Sequence, residues 1–378
     1  MEFIMRILRR AFWYVCKLLP LDKNKIVFVS YYGRGYSDNP KYIAEALIKK
    51  NAPLKYVWIA EDFENANTPD GFILAKMNSF KYIYHMSTAK FWVDNARKYW
   101  CLKRPEQVYI QCWHGGFGLK KIEKDAQNKL PEDYVRMAIR DAEQTDLMVS
   151  NSKTLTELYR NAFWYPEGEI MEKGLPRNDR LFAVTEDDVK RIKSSLNIEN
   201  GVKLALYAPT FRENHSIEVY NMDYELFAKS LEEHFGGKWK ILIRLHPNVF
   251  KLGAKMEFPK EYAINVSDYN DIQELYMISD LAVTDYSSVM FDFMLTKRPC
   301  LLYASDVEEY RKERDFFVTI DSLPFPLAQN NEELKDLVIN FNENEYNKNV
   351  EKFKAYHGFC DDGNASNSIA DWILDRIN

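Results

Sequence analysis

The segment Leu281–Ser305 constrains the fold of this chain more than any other part of the sequence. Its pattern predicts a buried strand at Leu281–Thr284 and, beyond a polar turn, a short amphipathic helix at Val289–Leu295. Pro299 then opens a second buried strand at Cys300–Tyr303. A strand, a helix and another strand in this order form a βαβ unit, which predicts an α/β fold built on a parallel sheet.

Two adjacent serines, Ser287 and Ser288, occupy the turn between the first of these strands and the helix. Hydroxyl groups and unpaired backbone N–H groups at the start of a helix suit an anion, and a phosphate in particular. Serines at this position also cap their own helix. The turn is therefore a candidate phosphate site, with helix capping as the alternative interpretation.

The same alternation of strands and helices occurs twice along the chain. With 378 residues, the chain is long enough for two domains with proper cores, and we place their boundary near Pro176. The predicted organisation is a basic segment at 1–24, α/β lobes at 25–176 and 177–355, and a final helix within 356–378 that packs back on the first lobe. Beyond the βαβ unit, the predicted strands are Ile26–Gly33, Tyr56–Ala60, Lys90–Asn95, Val108–Trp113, Asp146–Ser152, Val202–Ala208 and Lys240–Leu245.

The N-terminal segment is basic, whereas the chain as a whole is acidic. Residues 1–25 carry a net charge of +4, against a formal net charge of -5 for the whole chain. The overall charge argues against a nucleic-acid partner, and the basic tip favours an anionic membrane surface. An amphipathic helix lying on such a surface fits the mixture of apolar residues and cations, with packing on the protein's own body as the alternative. The residues predicted to contact the membrane are Arg6, Arg9, Arg10, Trp13 and Lys17.

The five cysteines show neither a CxxC motif nor a Cys/His spacing typical of metal sites. This usage predicts a reducing cytoplasm and argues against a zinc site. No cluster of acidic residues indicates a dedicated metal, although Asp285 and Asp292 remain open as ligands.

Polar residues follow the predicted strands of the first lobe, at the edge where open α/β sheets bind ligands. The loop Gly33–Pro40 is either an acceptor-side or interdomain loop or an ordinary turn. His114 ends a strand and is followed at once by glycines, a context that allows close approach of a substrate and suits a catalytic base. A structural histidine is the alternative. The acceptor-side residues predicted here are Gly33, Ser37, Asp38, Asn39, Gly115, Gly116 and Lys120.

Strand ends of the second lobe also present polar side chains. Thr210 and Arg212 follow one strand, whereas Arg244 and His246 lie at the end of the next. In a parallel sheet these loops share one edge with the two-serine turn. His246 is either functional or a hydrogen-bonded histidine beside a proline turn. The donor-binding residues predicted in this lobe are Thr210, Arg212, Arg244, Thr284, Asp285, Ser287, Ser288 and Arg314.

Several motifs together resemble the CDP-glycerol glycerophosphotransferase family, the bacterial teichoic-acid polyol-phosphate transferases and their capsule-assembling relatives. The resemblance runs from about Lys25 to the end of the chain, and four motifs in the right order make it specific. These four are CWHGGFGLKKI around His114, APTFR at Ala208–Arg212, RLHP at Arg244–Pro247 and TDYSSVMFDF at Thr284–Phe293; YSDNPKYIAEAL and KGLPRND are also similar to family motifs.

The resemblance implies a two-lobed, GT-B glycosyltransferase-like architecture. Its first lobe would receive the acceptor and its second would bind the nucleotide of a CDP-polyol. By the same resemblance His114 is the base, His246 contacts the diphosphate, and Ser287, Ser288 and Arg314 lie at the donor. Two departures from the family pattern are Asp315 after Arg314, and Asn248-Val249 where a basic residue is often found.

The implied function is transfer of glycerol phosphate from CDP-glycerol to a hydroxyl of a lipid-linked acceptor, releasing CMP, in teichoic acid or capsular polymer synthesis. A CDP-ribitol enzyme and a sugar-nucleotide glycosyltransferase are the alternatives, and a non-catalytic membrane scaffold is disfavoured because both histidines and the two-serine turn are present. No cofactor is implied, since the CDP-polyol is a substrate. The expected location is the cytoplasmic face of the bacterial membrane, as a peripheral protein.

Overall fold

A computed structural model describes residues 2–63, 67–98, 100–210, 212, 221–245, 256–313 and 317–377. The chain divides into two compact units. Unit 1 contains Met1–Gly116, Ile122–Asp179 and Phe359–Asn378, and unit 2 contains Phe117–Lys121 and Arg180–Gly358. Residues 1–24 are thus part of unit 1 rather than a separate segment. Residues 117–121 belong to unit 2, although the predicted boundaries included them in the first lobe.

Unit 1 is built on a seven-stranded sheet in which every pair of neighbouring strands is parallel. The strand order is β3-β2-β1-β4-β5-β6-β7, so the order reverses between β1 and β4. Such a reversal is the switch point at which doubly wound sheets leave a crevice for a ligand. The strands are β1 Asp22–Val29, β2 Lys55–Ala60, β3 Ile73–Lys76, β4 Ala89–Asp94, β5 Val108–Gln111, β6 Leu147–Ser150 and β7 Glu169–Glu172.

Unit 2 repeats this plan with six parallel strands in the order β10-β9-β8-β11-β12-β13. Its switch point lies between β8 and β11. Strands β11 and β12 have the bounds that the sequence predicted, because continuous apolar runs are typical of strands buried on both faces. The strands are β8 Lys203–Tyr207, β9 Trp239–Ile243, β10 Ala263–Asn265, β11 Leu281–Thr284, β12 Cys300–Tyr303 and β13 Leu327–Ala328.

Helices cover the faces of both sheets. Asn342 accepts a hydrogen bond from the backbone N–H of Glu345 and so begins the helix Glu343–His357. The described helices are α1 Glu2–Cys16, α2 Asp38–Lys49, α3 Phe80–Thr88, α4 Glu132–Gln144, α5 Lys153–Ala162, α6 Glu186–Ser195, α7 Tyr224–Phe235, α8 Ile272–Ile278, α9 Val289–Phe293, α10 Val307–Glu313, α11 Asn331–Ile339, α12 Glu343–His357 and α13 Ala365–Leu374.

The last helix, α13, completes the core of unit 1. Ile369 and Ile373 pack in one buried cluster with Leu47 of α2. The carboxylate of Asp179 accepts hydrogen bonds from the backbone N–H groups of Ala365 and Ser366, at 3.0 and 2.7 Å. These bonds satisfy two of the donors that the start of a helix leaves unpaired.

Helix α1 packs on the opposite face of the same sheet. Trp13 is only 3% exposed and lies edge-on to Trp92 and Trp100, so its prediction as a membrane contact is wrong. Arg104 donates hydrogen bonds of 2.8 Å to the carbonyl oxygens of Cys16 and Leu19, which caps the end of the helix. None of the helices that the structure describes is long and apolar enough to cross a membrane.

Candidate active site

His114 follows β5 at the carboxyl edge of the unit 1 sheet. Its Nδ1 lies 2.8 Å from the backbone carbonyl oxygen of Asn95, which follows β4. A carbonyl oxygen only accepts hydrogen bonds, so this contact assigns the ring proton to Nδ1. In the neutral imidazole the lone pair is then on Nε2, which is the nitrogen available to accept a proton.

The surroundings of the ring favour that neutral form. His114 keeps solvent-accessible surface, yet the atoms packed around it, among them the rings of Trp113 and Tyr31, desolvate the imidazolium. This desolvation lowers the pKa of His114 from its ordinary value of 6.5, against the opposing effect of the hydrogen bond to Asn95. A neutral imidazole near neutral pH is the form that a general base requires.

A buried polar network fixes the backbone on which His114 stands. Arg177 donates from Nη1 to the carbonyl oxygen of His114 at 2.7 Å and to Asp38 Oδ2 at 3.2 Å. Asn39 donates from Nδ2 to the carbonyl oxygen of Trp113 at 3.0 Å. The hydroxyl of Tyr31 donates to Asp38 at 2.5 Å. Asp38 and Asn39 are buried, so these two predicted acceptor-side residues support the histidine loop instead of lining a surface for substrate.

The other predicted residues near this loop have different surroundings. Gly33 has φ +94°, and a Cβ there would lie 3.1 Å from the backbone nitrogen of Glu61, so the turn after β1 requires glycine. Ser37 is buried at the start of α2. Gly115 is partly exposed whereas Gly116 is buried, which leaves backbone at Gly115 accessible beside His114.

The turn after β11 lies at the switch point of unit 2. Asp285 Oδ1 accepts hydrogen bonds from the backbone N–H groups of Thr210 at 2.8 Å and Tyr286 at 2.6 Å, which joins the loops after β8 and β11. Ser287 and Ser288 are partly exposed. Ser287 Oγ accepts from the N–H of Val289 at 3.4 Å, a weak capping contact that leaves the hydroxyl groups of the turn accessible.

Arg212 occupies an internal position beneath this turn. Its guanidinium donates to Asp285 Oδ2 at 2.8 Å and to Asp306 at 2.6 and 3.1 Å, and it lies over the rings of Tyr286 and Tyr310. Burial disfavours the cation, but the two carboxylates outweigh burial and raise the pKa of Arg212. Arg212 was predicted to bind the donor, and this geometry instead gives it the role of holding the turn.

Three further predicted residues also make internal contacts. The hydroxyl of Thr284 is buried and donates to the carbonyl oxygen of Ala208 at 2.7 Å, while Arg244 donates to that of Tyr269. Lys120 lies 5.1 Å from the ring centroid of Tyr310 and belongs to unit 2, so its assignment to the acceptor-side lobe is wrong. Its segment is held there because Phe117 is fully buried in that unit.

His246 and Arg314 lie outside the residues that the structure describes, so both remain sequence predictions. Within the described ranges, no group of three or more His, Cys, Asp or Glu side chains is arranged to hold a metal ion. Sequence reasoning did not identify Tyr31, Asn95 or Arg177 as site residues. Arg177 lies inside the KGLPRND motif, and the similarity of this motif to the family could have indicated that Arg177 belongs to the site.

Two doubly wound parallel sheets, each with polar residues at its switch point, define an α/β protein of the GT-B-like class. Residues 11–375 match the family described as CDP-glycerol:poly(glycerophosphate) glycerophosphotransferase. The chain belongs to this family, which confirms the family and the enzyme class predicted from the motifs.

Individual relatives agree with this assignment. The chain is 34% identical over 364 residues to a teichoic acid poly(glycerol phosphate) polymerase of Staphylococcus epidermidis, covering 92% of this chain and about half, 50%, of the relative. It is 33% identical over 390 residues to a teichoic acid glycerol-phosphate transferase of Staphylococcus aureus, covering 98% of both chains. A solved structure of a variant of the wall teichoic acid polymerase TagF, soaked with CDPG, has a TM-score of 0.88 at 31% identity and covers 98% of this chain and 93% of that one.

Relatives named for ribitol phosphate are more distant. A teichoic acid ribitol-phosphate primase of Bacillus spizizenii is 28% identical over 389 residues, covering 98% of this chain and 97% of the relative.

Proposed function

We propose that this protein transfers glycerol phosphate from CDP-glycerol to a hydroxyl group of an acceptor that carries a teichoic acid linkage or chain, with release of CMP. The observation that carries the proposal is the tautomer of His114, whose Nδ1–H donates to Asn95 and whose Nε2 is left to accept a proton. Membership of the CDP-glycerol:poly(glycerophosphate) glycerophosphotransferase family supports CDP-glycerol as the donor.

The reaction is a phosphoryl transfer, which depends on positioning and on neutralising the leaving phosphate. The acceptor hydroxyl gives its proton to Nε2 of His114 and attacks the phosphorus next to glycerol. A new phosphodiester bond forms as the bond from that phosphorus to the bridging oxygen breaks, and CMP leaves with the electron pair. Ser287, Ser288, His246 and Arg314 are assigned to the donor diphosphate.

Glycerol is the preferred donor because relatives named for glycerol phosphate are 31–34% identical and those named for ribitol phosphate are 27–28% identical. Incubation of the full chain with CDP-glycerol or CDP-ribitol and a lipid-linked acceptor, followed by mass spectrometry of the product, tests this choice. Incorporation from CDP-ribitol alone would overturn it. The product mass also gives the number of units added.

The histidine assignment is tested with radiolabelled CDP-glycerol. His114→Ala should lose about 10²- to 10⁴-fold in turnover, the contribution expected of a general base. His234→Gln is the matched control, because His234 is an exposed histidine at the end of α7 in unit 2. Wild-type turnover in His114→Ala would place the base on another residue.

We also propose that α1 lies on an anionic membrane surface, at the cytoplasmic face where the nucleotide substrate is available. The face of α1 that does not pack on the sheet exposes a continuous set of apolar side chains. The helix carries Arg6, Arg9 and Arg10 beside them, and Lys17 follows its last residue. The exposed set comprises Phe3, Ile4, Ile7, Leu8, Tyr14, Val15 and, just beyond the helix, Leu18.

Sedimentation with vesicles containing phosphatidylglycerol tests this location. Ile4→Glu combined with Leu18→Glu should abolish binding to the vesicles, because two charges then face the acyl region. Phe182→Glu is the control, since Phe182 is an exposed aromatic residue of unit 2. Equal binding by the wild type and the double variant would contradict the proposal.

A further inference from the structure

Unit 1 contains a cavity of about 730 Å³ at the carboxyl edge of its sheet, and its lining is rich in basic side chains. Five arginines line it: Arg6, Arg9 and Arg10 of α1, Arg34 of the turn after β1, and Arg97 of the loop after β4. We refer to it as the arginine cavity. Its position is the switch point between β1 and β4, where this class of sheet binds ligands.

The charges of Arg6, Arg9, Arg10 and Arg34 are not compensated by the residues that the structure describes. Within the described part of the chain, no carboxylate lies within ion-pairing distance of their guanidinium groups. Two other cations that line the cavity are neutralised: Arg97 pairs with Glu123 and Asp141, and Lys98 pairs with Asp94. Glu61 also lines the cavity and is the opposing acid. The remaining excess of positive charge favours an anion with several charges.

The scaffold presents these arginines from fixed elements. Arg34 stands on a tight turn in which the N–H groups of Gly33 and Arg34 both donate to the carbonyl oxygen of Ser30, at 2.8 and 3.0 Å. Helix α1 is anchored by the buried side chains of Trp13 and Cys16. The backbone that carries these arginines is therefore fixed, which lowers part of the entropic cost of placing their side chains on a ligand.

The cavity adjoins the candidate base through one loop. Asn95 accepts the hydrogen bond from His114, while its neighbours Asp94, Arg97 and Lys98 line the cavity. Arg97 also lies 5.5 Å from the ring centroid of Trp113, next to His114 in sequence. An anion in the cavity would therefore be held on the same edge of the unit 1 sheet as the catalytic imidazole.

We infer that the arginine cavity binds a phosphate or diphosphate group of the acceptor and so holds the acceptor for attack. This inference rests on the proposed function, because it names the acceptor of that reaction as a phosphate-bearing molecule. Glycerol phosphate chains and lipid diphosphates both carry such groups. An anionic phospholipid head group has the same chemistry, and the experiment separates the two sources.

The first measurement is calorimetric titration of the full chain with inorganic pyrophosphate in the presence of saturating CDP, which occupies the donor site proposed above. Wild type should bind saturably, and Arg34→Gln should weaken binding about tenfold, the effect of losing one charge-assisted contact. Arg136→Gln is the matched control, because Arg136 is an exposed arginine of α4 in unit 1 and does not line the cavity. No binding by wild type, or equal weakening by both variants, would overturn the inference.

The second measurement is transfer activity as a function of acceptor concentration. Arg34→Gln should raise the KM for the acceptor about tenfold and leave kcat and the KM for CDP-glycerol unchanged, since Arg34 is assigned to acceptor binding alone. Arg34 is not part of α1, so this result would not follow from weaker membrane binding. An unchanged acceptor KM would overturn the inference.

The third measurement identifies the source of the anion. Phosphatidylglycerol vesicles that displace pyrophosphate from the wild type, together with an unchanged acceptor KM in Arg34→Gln, would assign the cavity to a lipid head group and overturn the acceptor role. Pyrophosphate binding to the cavity, measured with CDP in the donor site, requires no turnover. Failure of transfer from CDP-glycerol would therefore count against the proposed function, while loss of pyrophosphate binding would count against the cavity alone.

Discussion

Arg177 donates a hydrogen bond to the carbonyl oxygen of His114 across 63 positions of the chain, with 2.7 Å between the two atoms. The bond acts on the backbone of the histidine, whereas the contact with Asn95 acts on its ring. Together they fix both the position and the tautomer of the imidazole.

Arg177→Lys should lower kcat about 10- to 100-fold, because the lysine nitrogen falls one bond short of Nη1, from which Arg177 contacts both His114 and Asp38, and a small displacement of a catalytic group is costly. The KM for CDP-glycerol should stay unchanged. Arg180→Lys is the control, since Arg180 pairs with Asp188 in unit 2. A normal kcat in Arg177→Lys would show that this hydrogen bond does not position the base.

The pH dependence of kcat/KM should show an acid limb below pH 6.5. The proposed base is the neutral imidazole of His114, and desolvation lowers the pKa of His114 from 6.5, so activity should persist as the pH falls past that value and be lost further down. Initial rates measured from pH 8 downward locate the limb. A midpoint at or above pH 6.5 would be inconsistent with His114 as the titrating base.

Arg212→Met should destabilise unit 2 by about 3–5 kcal/mol, because it leaves the carboxylates of Asp285 and Asp306 without their cation. Arg191→Met removes an exposed partner of Glu274 and should cost at most about 1 kcal/mol. Hydrogen exchange of unit 2 peptides measures both changes separately from unit 1. Equal losses of stability in the two variants would mean that the ion pairs of Arg212 stabilise unit 2 no more than an exposed surface pair does.

Unit 1 should lose stability in acid through His85, which is 6% exposed. Burial, with repulsion from Lys25 and Lys81, lowers the pKa of His85 from 6.5 to about 4. The unfolded chain therefore binds the proton first as the pH falls, and the free energy of unfolding should drop by about 1.4 kcal/mol per pH unit between the two values.

Urea denaturation at pH 7 and pH 5 checks this prediction with His85→Gln, which should lose less stability than the wild type over that interval. His234→Gln should retain the wild-type dependence, because His234 is exposed. A wild-type pH dependence in His85→Gln would assign the acid sensitivity to other groups.

The sequence was sufficient for features that depend on neighbouring residues. The apolar runs of β11 and β12 have the predicted bounds. The position of His114 just after a strand was also predicted, and its role as base remains a prediction. Arg212 was misassigned because its partners Asp285 and Asp306 lie 73 and 94 positions away, and only the folded sheet brings them together. Trp13 has the sequence context of an interfacial aromatic residue, but Trp92 and Trp100, which bury it, are distant in sequence.

Neither unit corresponds to a continuous stretch of the chain. Unit 1 includes Phe359–Asn378, and unit 2 includes Phe117–Lys121. During synthesis on the ribosome, the sheet that carries His114 must therefore wait for the last twenty residues before helix α13 can close its core. A fragment cut at Asp179 would lack that helix, so dissection of this enzyme calls for circular permutation or for co-expression of the missing piece.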